Sequence, residues 1–158
     1  MLVIADAGPL RYLIGIGEHE LLPAIFREVW APSAVISELT APSTPESVRR
    51  VVESRPAWLN VRDPGVKAIR EISPDLDSGE RAALALAREL HADLVLIDEA
   101  AGRREAASLG IRITGTVGVL RVAAERGLID VRSVVARLRS SGFYIQESVI
   151  RAAFEKWL

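Results

Sequence analysis

The sequence predicts an α/β fold: a parallel sheet with helices on both faces. Short apolar segments alternate with segments whose apolar residues recur at helical spacing. The apolar runs Met1–Ala5 and Leu94–Ile97 end directly on acids, Asp6 and Asp98-Glu99. Strands buried on both faces read as continuous apolar runs, and their alternation with amphipathic helices is the pattern of a parallel α/β sheet. A chain of 158 residues with 49% hydrophobic content fits one domain, residues 1–158. A domain near this size buries roughly 70% of its unfolded surface and needs neither disulfide nor structural metal to fold.

The elements follow in order. Met1–Ala5 reads as a buried strand. Ala7-Gly8-Pro9 turns the chain, and Pro9 suits the start of a helix that carries Leu10, Leu13 and Ile14 and stops at Gly15 and Gly17. Leu21–Phe26 forms a short helix and Val29–Ala31 a second strand. After Pro32-Ser33 a helix turns Val35, Ile36 and Leu39 inward, with Glu38 beside them. Pro45 opens a helix through Val48, Val51 and Val52, and Trp58–Val61 is a short strand. Asp77 is the expected N-cap of the clearest helix, Glu80–Leu90. Asp93–Ile97 is the best strand. The helix 101–109 ends at Gly110, Ile111–Thr114 is the last strand, and Gly115-Thr116-Val117-Gly118 opens another helix. Two more helices fit Ser133–Leu138 and Glu147–Trp157. Phe143, Tyr144, Phe154 and Trp157 are expected to pack rather than to bind.

Composition removes several chemistries. There is no cysteine and there are only two histidines, His19 and His91. Disulfides, thiolate nucleophiles and Cys-ligated zinc are thereby excluded, and a multi-His metal site within one chain is not expected. Neither a P-loop nor a G-x-G-x-x-G turn is present, which argues against a nucleotide-binding α/β protein. A phosphotransfer domain with Asp6 as nucleophile is disfavoured by Gly8 two residues on and by having only Lys67 and Lys156 as lysines. No segment is long and apolar enough to span a bilayer, and the opening residues lack the basic flank of a signal peptide; a cytoplasmic protein without membrane contact is expected. The net charge is −1 but uneven: residues 101–158 hold 10 Lys+Arg against 5 Asp+Glu. Arginines of this kind, Arg103 and Arg104 among them, either solvate helix faces or fork onto phosphates.

Acids at the C-terminal ends of parallel strands project into the crevice where such sheets bind ligands. Asp6 and Asp98-Glu99 meet that condition. Two carboxylates about 5 Å apart repel by roughly 3 kcal/mol even at an effective dielectric near 20. A convergent cluster must therefore protonate, find arginines or bind a cation. Oxygen-only ligation suits Mg²⁺ or Mn²⁺. Such an ion activates water and neutralises phosphate charge, the chemistry of phosphodiester hydrolysis.

The ordered pieces Asp6-Ala7-Gly8-Pro9-Leu10, Pro32–Leu39, Leu76-Asp77-Ser78-Gly79-Glu80, Leu96-Ile97-Asp98-Glu99 and Thr114-Gly115-Thr116-Val117-Gly118 resemble a PIN domain. The single-domain branch of toxin ribonucleases of the VapC kind is the most similar. The resemblance covers nearly the whole chain. It implies a three-layer α/β/α sandwich with a parallel sheet of about five strands and Mg²⁺- or Mn²⁺-dependent cleavage of RNA. It implies Asp6, Glu38, Glu80 and Asp98 as catalytic acids, the same four with Glu99 as metal ligands, and Asp98 and Glu99 as alternatives for the last position. Thr114, Thr116, Arg103 and Arg104 are candidate substrate contacts, the threonines alternatively helix caps. A homodimer and a small antitoxin partner are also implied, as for the toxin of a type II toxin–antitoxin pair. Two positions depart from the pattern: the last acidic pair is Asp-Glu rather than Asp-Asp, and Arg11 stands where an apolar residue is usual. Arg11 is expected to pair with Asp6 and weaken metal binding. On that ground a PIN-like binding module with little or no activity is the alternative reading.

Overall fold

Five short segments become strands: β1 (Val3–Ala5), β2 (Val29–Ala31), β3 (Leu59–Val61), β4 (Leu94–Leu96) and β5 (Ile113–Thr114). In the computed structural model, which describes residues 1–158, they form one parallel sheet in the order β3-β2-β1-β4-β5. The chain starts in the middle, winds outward through β2 and β3, then returns to place β4 on the other side of β1. The order reverses between β1 and β4, where Val3, Ile4 and Ala5 stand opposite Leu94, Val95 and Leu96. That reversal opens a crevice beyond the strand ends.

The alternation of side chains along each strand builds the core as two layers. Val3, Ala5 and Leu96 face the larger one, formed with α1 (Ala7–Gly15), α2 (Leu21–Phe26), α3 (Ser33–Leu39), α4 (Glu46–Glu53), α8 (Thr116–Glu125), α9 (Val131–Ser140) and α10 (Glu147–Phe154). Ile4, Val95 and Ile97 face the smaller one, against α6 (Ser78–Leu90) and Ala106 of α7 (Ala100–Ser108). The result is the expected three-layer α/β/α sandwich. No helix is long and apolar enough to cross a membrane.

The departures from the sequence reading are local. A five-residue helix, α5 (Val66–Arg70), was not expected. It is one turn long and none of its residues is fully buried, only Ala68 and Ile69 packing partly against the smaller core layer. The strand expected from Asp93 starts at Leu94, and Asp93 holds Leu2 at its edge, its N–H donating to the Leu2 carbonyl at 2.8 Å and its carboxylate accepting the Leu2 N–H at 2.6 Å. The last helix ends at Phe154, and Glu155–Trp157 tightens into a 3₁₀ turn. Phe154 is fully buried as expected, and Phe143 and Trp157 are half-buried, but Tyr144 is 86% exposed. It lies in the irregular segment between α9 and α10, which has no helix face to turn inward.

Candidate active site

Asp6 and Asp98 leave adjacent parallel strands at the reversal point. The backbone N–H of Asp6 donates to the Leu96 carbonyl at 2.9 Å, which extends the ladder one residue past β1. Asp6 then occupies the N-cap position of α1, yet its side chain makes no capping hydrogen bond. It is 5% exposed. Burial pushes its carboxyl up to about 7; the Ala7 N–H opposes this, and the like charges of Asp77, Glu38 and Asp98 add to it.

Asp98 is held differently. Its Oδ1 accepts the Thr116 N–H at 2.8 Å and its Oδ2 accepts the Thr116 hydroxyl at 2.7 Å. Thr116 is fully buried. It is the first residue of α8, and Gly115 is the N-cap, so its hydroxyl fixes Asp98 instead of capping its own helix. Burial raises the Asp98 carboxyl, while the two Thr116 bonds and the Arg103 charge oppose the rise. A Cβ added at Gly115 would stand 2.5 Å from Asp98 Oδ1, and one at Gly8 3.2 Å from Oδ2. The glycines of the two turns make the room that Asp98 occupies.

Glu80 enters from α6. With Asp77 it forms a complete capping box: the Glu80 N–H donates to Asp77 Oδ1 at 2.8 Å, and the Asp77 N–H donates to Glu80 Oε1 at 3.3 Å. The D-x-x-E spacing dictates this reciprocal arrangement. It leaves Glu80 Oε2 buried without a hydrogen-bond partner. A Cβ at Gly102 would stand 2.9 Å from that oxygen and 2.4 Å from Ile97 Cδ1. Burial first, then Asp77, raises the Glu80 carboxyl. Glu38 is exposed on α3. Its carboxyl is raised by partial burial and by Asp77, lowered by Arg11, and raised again by Glu99.

The four acids are thus linked through Asp6, which feels the charges of Glu38 and Asp98 and acts on Glu80, while Glu99, the exposed N-cap residue of α7, lines a cleft with Asp98. Asp77 is a further member that the sequence reading gave only a capping role. Its charge acts on Asp6, Glu38 and Glu80 alike. The signal for it was its position three residues before Glu80, which puts both carboxyls at the same helix start. Arg11 does not do what was expected of it. It forms no ion pair with Asp6, and its charge acts on Glu38. Projecting from α1 five residues beyond Asp6, it reaches the α3 side of the crevice.

Of the candidate substrate contacts, Arg103 donates from Nη1 to the Ile97 carbonyl at 3.1 Å. Together with Thr114 it lines a cleft beside Asp98. Thr116 sits beneath Asp98. Arg104 is exposed one residue further along α7, outside that cleft.

The donor chemistry suits a hard divalent ion. The acids supply only oxygen, they repel one another, and Glu80 Oε2 is a buried oxygen with nothing to bond. No three of these side chains are gathered as a ready coordination cluster. Mg²⁺ in particular keeps several waters and takes only one or two carboxylates directly, so a closed protein cage is not required.

A family model described as a PIN domain matches residues 2–157. No curated protein matches the chain. Among solved structures, a PilT N-terminus domain protein from the hyperthermophilic archaeon Sulfolobus solfataricus P2 is similar at 14% identity, over 93% of this chain and 98% of that one, with a TM-score of 0.47.

Proposed function

The chain belongs to the PIN domain family, and from that premise we propose that it is a Mg²⁺- or Mn²⁺-dependent endoribonuclease that cleaves RNA phosphodiesters with an activated water. PIN domains are generally nucleases, typically dependent on divalent metal. The observation that carries the reading to this chain is the pairing of Asp6 and Asp98 across the β1–β4 crevice, with Asp6 buried among like charges.

Asp6 and Asp98, with Glu38, Glu80 and Glu99 around them, are the residues that would hold the ion. When bound, a divalent ion lowers the pKa of its water and neutralises charge on a phosphate oxygen. The protein's own part is positional and electrostatic. Thr116 locks the Asp98 carboxylate in one orientation through two hydrogen bonds. Burial and the neighbouring acids raise the Asp6 carboxyl to about 7, and a cation held beside it would favour its ionised form. Glu80 Oε2 keeps an unpaired acceptor beside Gly102. Arg103 sets a cation at the cleft wall, where a substrate phosphate could be met.

The motifs' similarity to toxin ribonucleases extends the proposal to a cytoplasmic toxin of a type II pair, a homodimer held in check by a small antitoxin. Cleavage of single-stranded RNA with Mg²⁺ or Mn²⁺, with and without EDTA, tests the chemistry. Activity is expected to vanish in EDTA and in Asp6→Asn. Cleavage that survives both sinks the mechanism. The toxin reading predicts growth arrest on expression that Asp6→Asn relieves, and normal growth with the active wild type overturns it.

A further inference from the structure

The cleft that Asp98 and Arg103 line extends to a feature that the proposed chemistry does not use. This cleft, of about 880 Å³, runs from Asp98 and Arg103 on one wall to the segment 142–146 on the other. Tyr144 lies in that segment and, at 86%, is the most exposed large hydrophobic side chain of the protein. Its neighbour Phe143 is anchored: the rings of Tyr12 and Phe143 meet edge to face, with centroids 4.6 Å apart and planes at 70°. Tyr12 belongs to α1, the helix that starts at Asp6. The segment is therefore tied to the same element that positions the central acid, and the tie presents Tyr144 at the cleft.

An aromatic ring left in water costs free energy that folding would remove by turning it inward. Here the inward place is taken by Phe143, and Tyr144 is left exposed among the residues that line the cleft. The opposite wall carries the Arg103 guanidinium, which is in no ion pair. Exposed aromatics beside a cation are the parts of a single-strand binding groove: every base has a π-face to stack, and the cation meets the backbone. A site that cuts an RNA strand must also hold a nucleotide next to the scissile phosphate, and this cleft shares Asp98 with the acid crevice.

We propose that the cleft is a nucleotide subsite in which an unpaired RNA base stacks on Tyr144, setting the adjoining phosphate toward Arg103 and Asp98. The proposal rests on the nuclease reading for its substrate, but the two fail separately. In the Asp6→Asn chain, expected to leave the probe intact, a fluorescein-labelled single-stranded oligoribonucleotide is titrated and read by anisotropy. Adding Tyr144→Ala is expected to weaken binding about 5- to 100-fold, the range of a lost base stack, and Tyr144→Phe to keep it. Because no charge is removed, the slope of log affinity against log salt should not change. Thermal unfolding verifies that Tyr144→Ala folds, as its exposure predicts. Binding unchanged by Tyr144→Ala, or weakened equally by Tyr144→Phe, overturns the subsite. Absent cleavage by the wild type with retained, Tyr144-dependent binding overturns only the nuclease reading. A parental chain that binds no RNA at all overturns both.

Discussion

Asp6→Asn should stabilise the protein, and by an amount that depends on pH. The wild-type carboxyl is pushed from 3.8 up to about 7 in the folded chain. In the unfolded chain it ionises at its ordinary value. Between these two pH values the folded state binds a proton that the unfolded state has lost, so stability falls as pH rises. Below about pH 3.8 the effect is absent, and above about pH 7 it is complete. Three pH units at about 1.4 kcal/mol each give a cost of ~4 kcal/mol to the wild type at pH 8. Asn has nearly the same shape and no charge to desolvate, so the variant escapes that cost. Urea unfolding of both chains across this range is the assay. The midpoints should coincide near about pH 4 and separate progressively, with the variant more stable, up to about pH 8. Millimolar Mg²⁺ or Mn²⁺ should narrow the gap at the alkaline end, because an ion that binds only the folded wild type repays the repulsion. A variant less stable than wild type at pH 8, or a gain that does not vary with pH, would refute the reasoning.

Other substitutions test the support of the site. Thr116→Val removes the hydroxyl bond to Asp98 while keeping shape and leaving the Thr116 N–H bond in place. A hydrogen bond to a charged group is worth about 1.5–3 kcal/mol, and its loss should raise the Asp98 carboxyl further, moving the acid limb of the pH–rate profile to higher pH. An unmoved limb would mean that Asp98 does not act as an ionised group. Gly102→Ala should destabilise by about 1–3 kcal/mol, the cost of overpacking, because its Cβ would stand 2.4 Å from Ile97 Cδ1. An unconstrained helical glycine would instead gain about 0.5–1 kcal/mol from alanine, so the sign of the change in denaturant midpoint decides the matter.

The sequence made the centre of the sheet legible because β1 and β4 are apolar runs that lead to an acid. Val3 to Ala5 and Val95 to Leu96 are buried from both sides, so nothing in them had to alternate. α6 was legible to its N-cap, since Asp77 and Glu80 carry their spacing in the sequence. What was not legible depends on distances between elements far apart in the chain. Arg11 could be placed on α1 but not aimed, and it turned to Glu38 rather than Asp6. Asp77 read as a cap, and is one, but its charge also reaches Asp6 and Glu38, which only the packing of α6 against β1 and α3 brings near. Thr116 read as a substrate contact or, alternatively, a cap, and its N–H and hydroxyl both donate to Asp98. Tyr144 read as packing because composition cannot tell which of two adjacent aromatics takes the inward place.

The glycines connect these points. Asp6 and Asp77 both lie against Gly79, Asp98 against Gly8 and Gly115, and Glu80 against Gly102. A Cβ at Gly102 or Gly115 would come within 3 Å of a site carboxylate, so at those positions the acids fill space that any other residue would occupy. Folding forces alone would not choose this. An alanine at a helical position favours the helix, and an apolar side chain would fill the crevice without the desolvation that raises Asp6, Glu80 and Asp98. Small residues placed where they cost helix stability, next to acids placed where they cost solvation, put both penalties at the sheet's switch point. A bound proton or a nearby positive charge relieves such carboxylates, so the proposed cation should restore stability most at alkaline pH, where no proton remains to do so.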